Sequence, residues 1–321
     1  MWHYDNIMKI SVIIPNWNGL KYLSTCLNSL QNQTYPNFEI ILVDNASTDN
    51  SVTFVKTKFQ HVNILQLSQN YGFTGAVNHG IEIANGEIIA LLNNDTESDK
   101  AWLAELVEIF ESDPNVGWVA SKIKLFDRRH VLHSAGDGFG MDGIPINRGV
   151  WQEDVGQFDD NDDNIFGGCG GAIAYRKTMI DDIGMFDDDF FMYCEDVDLN
   201  WRAQLAGYSC LFAPHAIVYH HLSATGGGAI SSFYTGRNTV FVLVKNVPDI
   251  VWRRHWLKII KAQFKIAWQA IHAWRSEAAR ARLHGQLAAL IELPYWLRKR
   301  RHVQNTKVVS DEWIMHILTE K

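Results

Sequence analysis

Long apolar runs are missing. The longest, such as Ile10–Pro15 and Ile88–Leu92, have the length of a buried strand. A membrane-spanning helix needs roughly 18–20 apolar residues, so an integral helical membrane protein is excluded. Met1 to Lys9 shows no basic stretch followed by an apolar one, and no secretory signal is expected. Cysteine is scarce. Cys26, Cys169, Cys194 and Cys210 form no CxxC pair, which predicts reduced, mostly buried thiols in a cytosolic protein. Internal repeats and low-complexity tracts are absent. Charged residues are only 20%, against 47% hydrophobic and 12% aromatic. That balance excludes disorder over most of the chain. Its 321 residues suffice for one large domain or up to two ordinary ones.

The net charge of −7 conceals an asymmetry. Residues 1–244 carry 14 Lys and Arg against 30 Asp and Glu. Residues 245–302 carry 13 against 3. An acidic body joined to a basic tail implies different partners for the two parts.

Two hydrophobic patterns alternate in the first half. Short β-branched runs at Ile10–Pro15, Glu39–Val43, Val62–Leu67 and Glu87–Leu92 predict strands. Helical spacing separates them at Tyr22–Leu30, Ser51–Phe59 and Thr74–Ala84, and continues at Ala101–Phe110. Thr48 or Asp49 is the expected cap of the second helix. Val116–Leu125 is a further strand region. This repetition predicts a mainly parallel sheet covered on both faces. Phe126 to Ile165 is dense in Gly, Asp and Asn and reads as a long surface excursion. Strands are then expected at Ala172–Tyr175, Cys210–Ala213 and Ile217–Tyr219, and helices at Glu195–Ala206 and Ser232–Lys245. Trp252–His302 is helical in composition.

Ligands of open parallel sheets bind beyond the carboxyl ends of the strands. Four polar loops fall at such ends: NWNG at 16–19, DNASTD at 44–49, NYGFTG at 70–75 and NND at 93–95. Each alone is ordinary turn chemistry; four at one edge point to a site. A carboxylate at the exit of Ile88–Leu92 suits a divalent cation bridging two phosphates. The plainer alternative has Asp95 capping the helix before Trp102.

These segments resemble the family 2 glycosyltransferases of the GT-A fold, and within them the rhamnosyltransferase-like subgroup. The resemblance extends to FGGCGG at 166–171, IGMFD at 183–187 and FFMYCEDVDL at 190–199, and covers roughly Lys9 to Lys245. It implies an α/β nucleotide-diphospho-sugar transferase fold over residues 1–245, followed by a basic, Trp-rich helical extension over 246–321. It also implies that Pro15 and Asn16 line the nucleotide pocket, with Asn18 in the same loop. Asp44 then takes the position that accepts the N3–H of uracil or thymine. Asn70, Gly72, Phe73 and Asn78 belong to the stretch touching ribose, pyrophosphate and donor sugar. NND stands where the family has DxD, placing Asn94 at the donor and Asp95 as ligand of Mg²⁺ or Mn²⁺. A metal-binding histidine is implied at His220. Arg237 would reach a phosphate.

EDVD at 195–198 is the expected catalytic segment. On a helix Glu195, Asp198 and Arg202 share one stripe, and Asp198–Arg202 is most simply a structural ion pair. Asp196 points off that stripe at a helix start and is favoured as general base, with Asp198 the second candidate. A base is needed because the acceptor hydroxyl loses its proton as it attacks the anomeric carbon. One base with a metal-bound leaving group means a single displacement with inversion. Gly226–Gly228 would supply hinge freedom for a lid.

In the tail, Trp252, Trp256, Phe264, Trp268, Trp274, Tyr295 and Trp296 interleave with Lys and Arg. That pattern suits an anionic membrane surface; a helical bundle packed on the catalytic domain is the alternative. No nucleic-acid reading module is recognisable. The expectation is an inverting, metal-dependent glycosyltransferase using dTDP-rhamnose or a UDP-sugar. Its acceptor is a glycan or polyprenyl-linked saccharide at the inner face of the cytoplasmic membrane, in bacterial surface polysaccharide synthesis. A non-catalytic glycan-binding module would need Asp95 and Asp196 to be dispensable. A nucleotidyltransferase would show a Gly-rich, Arg/Lys-bearing loop where Pro15–Gly19 stands.

Overall fold

Apolar runs without polar alternation become strands covered on both faces. In the computed structural model, which describes residues 7–160, 165–222 and 228–320, these runs are β1 (Ile10–Asn16), β2 (Phe38–Asp44), β3 (Asn63–Gln66) and β4 (Ile88–Leu92). Between them lie α1 (Leu20–Gln31), α2 (Ser51–Lys58) and α3 (Gly72–Ile83). β5 (Thr96–Ser98), α4 (Trp102–Ser112) and β6 (Val116–Leu125) follow. Asn50, not Thr48 or Asp49, occupies the α2 cap position. Asp49 still accepts from Ser51 N at 3.0 Å and from Leu20 N at 3.1 Å, tying two helix starts together.

The expected excursion after Phe126 is partly structured: one strand joins the main sheet and two more form a small sheet of their own. β7 (Leu132–Ala135) pairs antiparallel with β6, and β8 (Asp137–Phe139) forms a hairpin with β9 (Pro145–Asn147). Leu132, Ala135 and Phe139 are buried. Then come β10 (Ala172–Arg176), α5 (Lys177–Ile183), α6 (Glu195–Leu205) and β11 (Ser209–His220). β11 is one strand with a register shift between Ala213 and Ile217, where two strands were expected.

The sheet order is β3-β2-β1-β4-β10-β6-β11-β5, with β7 beside β6. The first four strands are parallel, but β10 runs antiparallel to both β4 and β6. The chain re-enters at the exit edge of β4, pairing Ala172 with Leu92, so it can only run back. The sheet is thus mixed. The exits of β1, β2 and β4 and the approach to β10 all meet at one edge.

One core lies on each face of the sheet. A third is shared with the C-terminal helices α7 (Gly228–Lys245), α8 (Asp249–His272), α9 (Glu277–Ile291), α10 (Leu293–Asn305) and α11 (Asp311–His316). It packs Phe139, Phe190 and Trp201 with Val251, Ile259, Trp296, Val303 and Ile314. The residues after 245 therefore do not stand apart from the α/β body.

Candidate active site

At the β1 and β2 exits, buried amides knit the loops together. Asp44 accepts from Asn16 Nδ2 at 3.1 Å and from Ser47 N at 3.2 Å. A carboxylate accepts more than two hydrogen bonds, so capacity remains for an imide N–H. Asn16 Oδ1 accepts from Asn94 Nδ2 at 2.7 Å, linking the β1 and β4 exits. Pro15 is half-buried beside Asn16, in register with Val43. Asn18, at φ 53°, accepts from Thr48 N at 2.7 Å and Asp49 N at 3.2 Å.

Several expected donor residues serve the protein itself. Asn70 Oδ1 accepts from Gly72 N and from Asn45 Nδ2. Asn45 is the hub of this loop: it also donates to Gly72 O and accepts from Tyr71 N. Sequence reasoning passed over it as one member of a polar motif. Gly72 has φ 76°, and a Cβ there would stand 2.4 Å from Phe191 O, so only glycine fits. Phe73 packs against the core on the α3 side. Asn78 is fully engaged, donating to Phe186 O and Asp188 and accepting from Phe186 N. Arg237 donates to Asn238 Oδ1 and to the carbonyls of Asp189 and Phe190. It thereby supports the segment before α6.

Asp95 caps nothing; Asp99 Oδ1 takes the α4 start by accepting from Ala101 N. Asp95 is 3% exposed, and its Oδ1 accepts no hydrogen bond although it lies 3.2 Å from His220 Nε2. An orphaned buried carboxylate oxygen facing an imidazole nitrogen is a donor set that fits Mg²⁺ or Mn²⁺. His220 Nδ1 lies 3.2 Å from His133 Nδ1. Burial, then His220, pushes the His133 imidazole down to about 4, so it is neutral. A ring partner on the far nitrogen is how ligand histidines are oriented. His133 had no sequence signal, since it sits in the segment read as irregular. His221 stacks on Phe126 at 3.6 Å.

Asp196 lies at the α6 start. It accepts from Gly170 N at 2.9 Å and from Val197 N at 2.8 Å. Burial pushes its carboxyl above the ordinary range. A carboxylate oxygen of Asp137 and the Cys169 thiol lie within 4.8 Å of it. Burial, then the Asp196 charge, pushes Asp137 up to about 8. Asp137 too was missed, because only the fold brings β8 to α6. Asp198 is fully buried. It pairs with Lys245 at 2.6 Å and Arg202 at 2.9 Å. Burial alone would raise its carboxyl, but Lys245 and then Arg202 hold it below the usual range. Its burial and its two cations argue against Asp198, the second candidate, and for Asp196 as the base. Residues 223–227, most of the expected glycine hinge, lie outside the described residues; Gly228 begins α7.

The family model for glycosyl transferase family 2 matches residues 11–184, just over half of the chain. O-antigen biosynthesis protein RfbC of Myxococcus xanthus is 30% identical over 230 residues, covering 68% of this chain and 18% of its own length. Glycosyltransferase AglE of Haloferax volcanii is 27% identical over 241 residues, 73% of each chain. The chain spans about a quarter or less of the length of two of the curated relatives it matches. Among solved structures, the mannosyltransferase PcManGT of Pyrobaculum calidifontis, in complex with GDP-Man and Mn²⁺, superposes with a TM-score of 0.58 at 16% identity. The match covers 94% of this chain and 86% of that one. The fold is the GT-A fold, with the C-terminal helices added.

Proposed function

Because the chain belongs to glycosyl transferase family 2, we propose that it is an inverting, metal-dependent glycosyltransferase of surface polysaccharide synthesis. The observation that carries this is the meeting at one sheet edge of Asp44, the Asp95–His220 pair and the half-buried Asp196, which has no ion pair among the described residues. Asp44 accepts the imide N–H of a uracil or thymine base. Asp95 and His220 hold Mg²⁺ or Mn²⁺, which when bound neutralises charge on the leaving diphosphate. Asp196, fixed by Gly170 and Val197, takes the proton of the acceptor hydroxyl as its oxygen bonds to the anomeric carbon. Its raised proton affinity suits that task. One base and one displacement invert the anomeric centre. The rhamnosyltransferase-like motifs favour dTDP-rhamnose or a UDP-sugar as donor. The acceptor is a glycan or polyprenyl-linked saccharide, met peripherally at the inner face of the cytoplasmic membrane.

A panel of nucleotide sugars with Mg²⁺ or Mn²⁺, read by thermal stabilisation and by release of nucleoside diphosphate, tests this. Asp95→Ala is expected to abolish turnover and the metal-dependent part of the stabilisation. Full activity in excess chelator would overturn the metal assignment.

A further inference from the structure

Helix α8 presents three different faces. Val251 and Ile259 are buried in the core shared with the body, and Ala270 is buried as well. At 3.6 residues per turn a second row runs through Trp256, Ile260, Phe264 and Trp268, which are 39–71% exposed. The third row, Arg254, Lys258, Lys261 and Lys265, is basic and exposed. Its three lysines line a cavity of about 300 Å³ together with Met141, Asp142 and Ala262. That cavity lies between α8 and the turn of the β8–β9 hairpin.

An amphipathic helix on a globular protein buries its apolar stripe. This one buries one stripe and exposes another. α9, hydrogen-bonded to α8 through Gln286 and Gln263, adds exposed Leu287, Leu290 and Ile291. Contiguous exposed apolar surface marks an interaction site. Charge selects the partner. Residues 245–302 carry 13 basic and 3 acidic residues, so a second copy on this face would bring a like-charged lysine row. An apolar row edged by lysines fits an anionic leaflet, where the apolar side chains enter the acyl boundary and the lysines meet phosphates. Among the described residues no helix is long and apolar enough to cross a membrane, so the helix lies in the interface plane.

We propose that α8 seats the protein on an anionic bilayer, with the Trp256–Trp268 row inserted and a lipid phosphate in the Lys258–Lys261–Lys265 cavity. This rests on the membrane placement proposed above; it adds the docking face and the ligand chemistry.

The test is sedimentation of the full chain with vesicles of phosphatidylglycerol and phosphatidylcholine, or of phosphatidylcholine alone. Binding is expected only to the anionic vesicles, with partial release at high salt. Lys258→Glu, Lys261→Glu and Lys265→Glu together should lower partitioning at least about a hundredfold. Phe264→Asp with Trp268→Asp should abolish it even at low salt. Both sets alter exposed side chains, and both variants should keep the parent melting temperature and diphosphate release from the donor. Parent-like vesicle binding by either variant overturns the proposal, as does absence of parent binding. A dimer in sedimentation velocity that Phe264→Asp dissolves also overturns it. Vesicle binding by a chain that turns over no nucleotide sugar supports the docking and sinks the active-site reading instead.

Discussion

Asp196 and Asp198 stand in opposite electrostatic settings on the same helical turn. Asp196 has backbone N–H partners and, among the described residues, no ion pair; Asp198 is buried between Lys245 and Arg202. Asp196→Asn should leave donor binding intact and lower turnover by about 10²–10⁴. Asp198→Asn removes the buried carboxylate between two cations, although Lys245 keeps Asp187 and Arg202 keeps the carbonyls of Ile183, Gly184 and Met185; it should cost about 3 kcal/mol of stability, measured by urea unfolding. The i, i+4 spacing made the Asp198–Arg202 pair legible in the sequence. The Lys245 contribution was not, because no local pattern joins residues so far apart. Asp137 gives a pH signature. Its folded value of about 8 lies above the unfolded carboxylate value of about 3.9. Between these the folded state holds a proton that the unfolded state has lost, so stability falls as pH rises through that window and levels off above about 8. Asp137→Asn should flatten the decline, as read from melting temperatures at about pH 5, 6.5 and 8.

At the scale of elements, the segment from Met185 to Cys194 depends on helices distant in sequence. Phe191, Tyr193 and Cys194 have positive φ of 63–66° without being glycine, a conformation that costs energy unless neighbours enforce it. Asn238 on α7 enforces it, donating to the carbonyls of Phe190, Met192 and Tyr193. Asn78 on α3 holds the other end at Phe186 and Asp188. Asn238→Ala takes this donor from the part-buried carbonyls of Met192 and Tyr193, at about 1–3 kcal/mol, while Phe190 O keeps Met192 N and Arg237. It should raise hydrogen exchange across residues 190–196 and lower turnover more than donor affinity. The strand–helix alternation of residues 10–125 was legible because period 2 and period 3.6 separate cleanly. The reversed β10 and the β8–β9 hairpin were not. Pairing direction leaves no mark on hydrophobicity, and strands of three residues rich in Gly, Asp and Asn look like loops.

For the whole molecule, the third core decides how far the C-terminal helices can be removed. Trp296 is fully buried, stacked on Phe241 at 3.9 Å and edge-on to Phe190 at 5.5 Å. Trp296→Ala should cost about 3–5 kcal/mol, detected as a lower denaturation midpoint. Truncation after Val247 removes Trp296, Val303 and Ile314 together and should yield insoluble protein. The sequence announced a basic helical tail; that its apolar side completes the core around Trp201 depended on which face each helix turns inward.

Asn238, Lys245 and Lys299 all brace the segment around Asp187–Asp198, yet every one of them is made after it. Synthesis runs from the N-terminus, so the ribosome delivers the nucleotide pocket and the base first and their braces last. The segment that carries the base is therefore expected to take its fixed position only once α7 and α10 have packed against it.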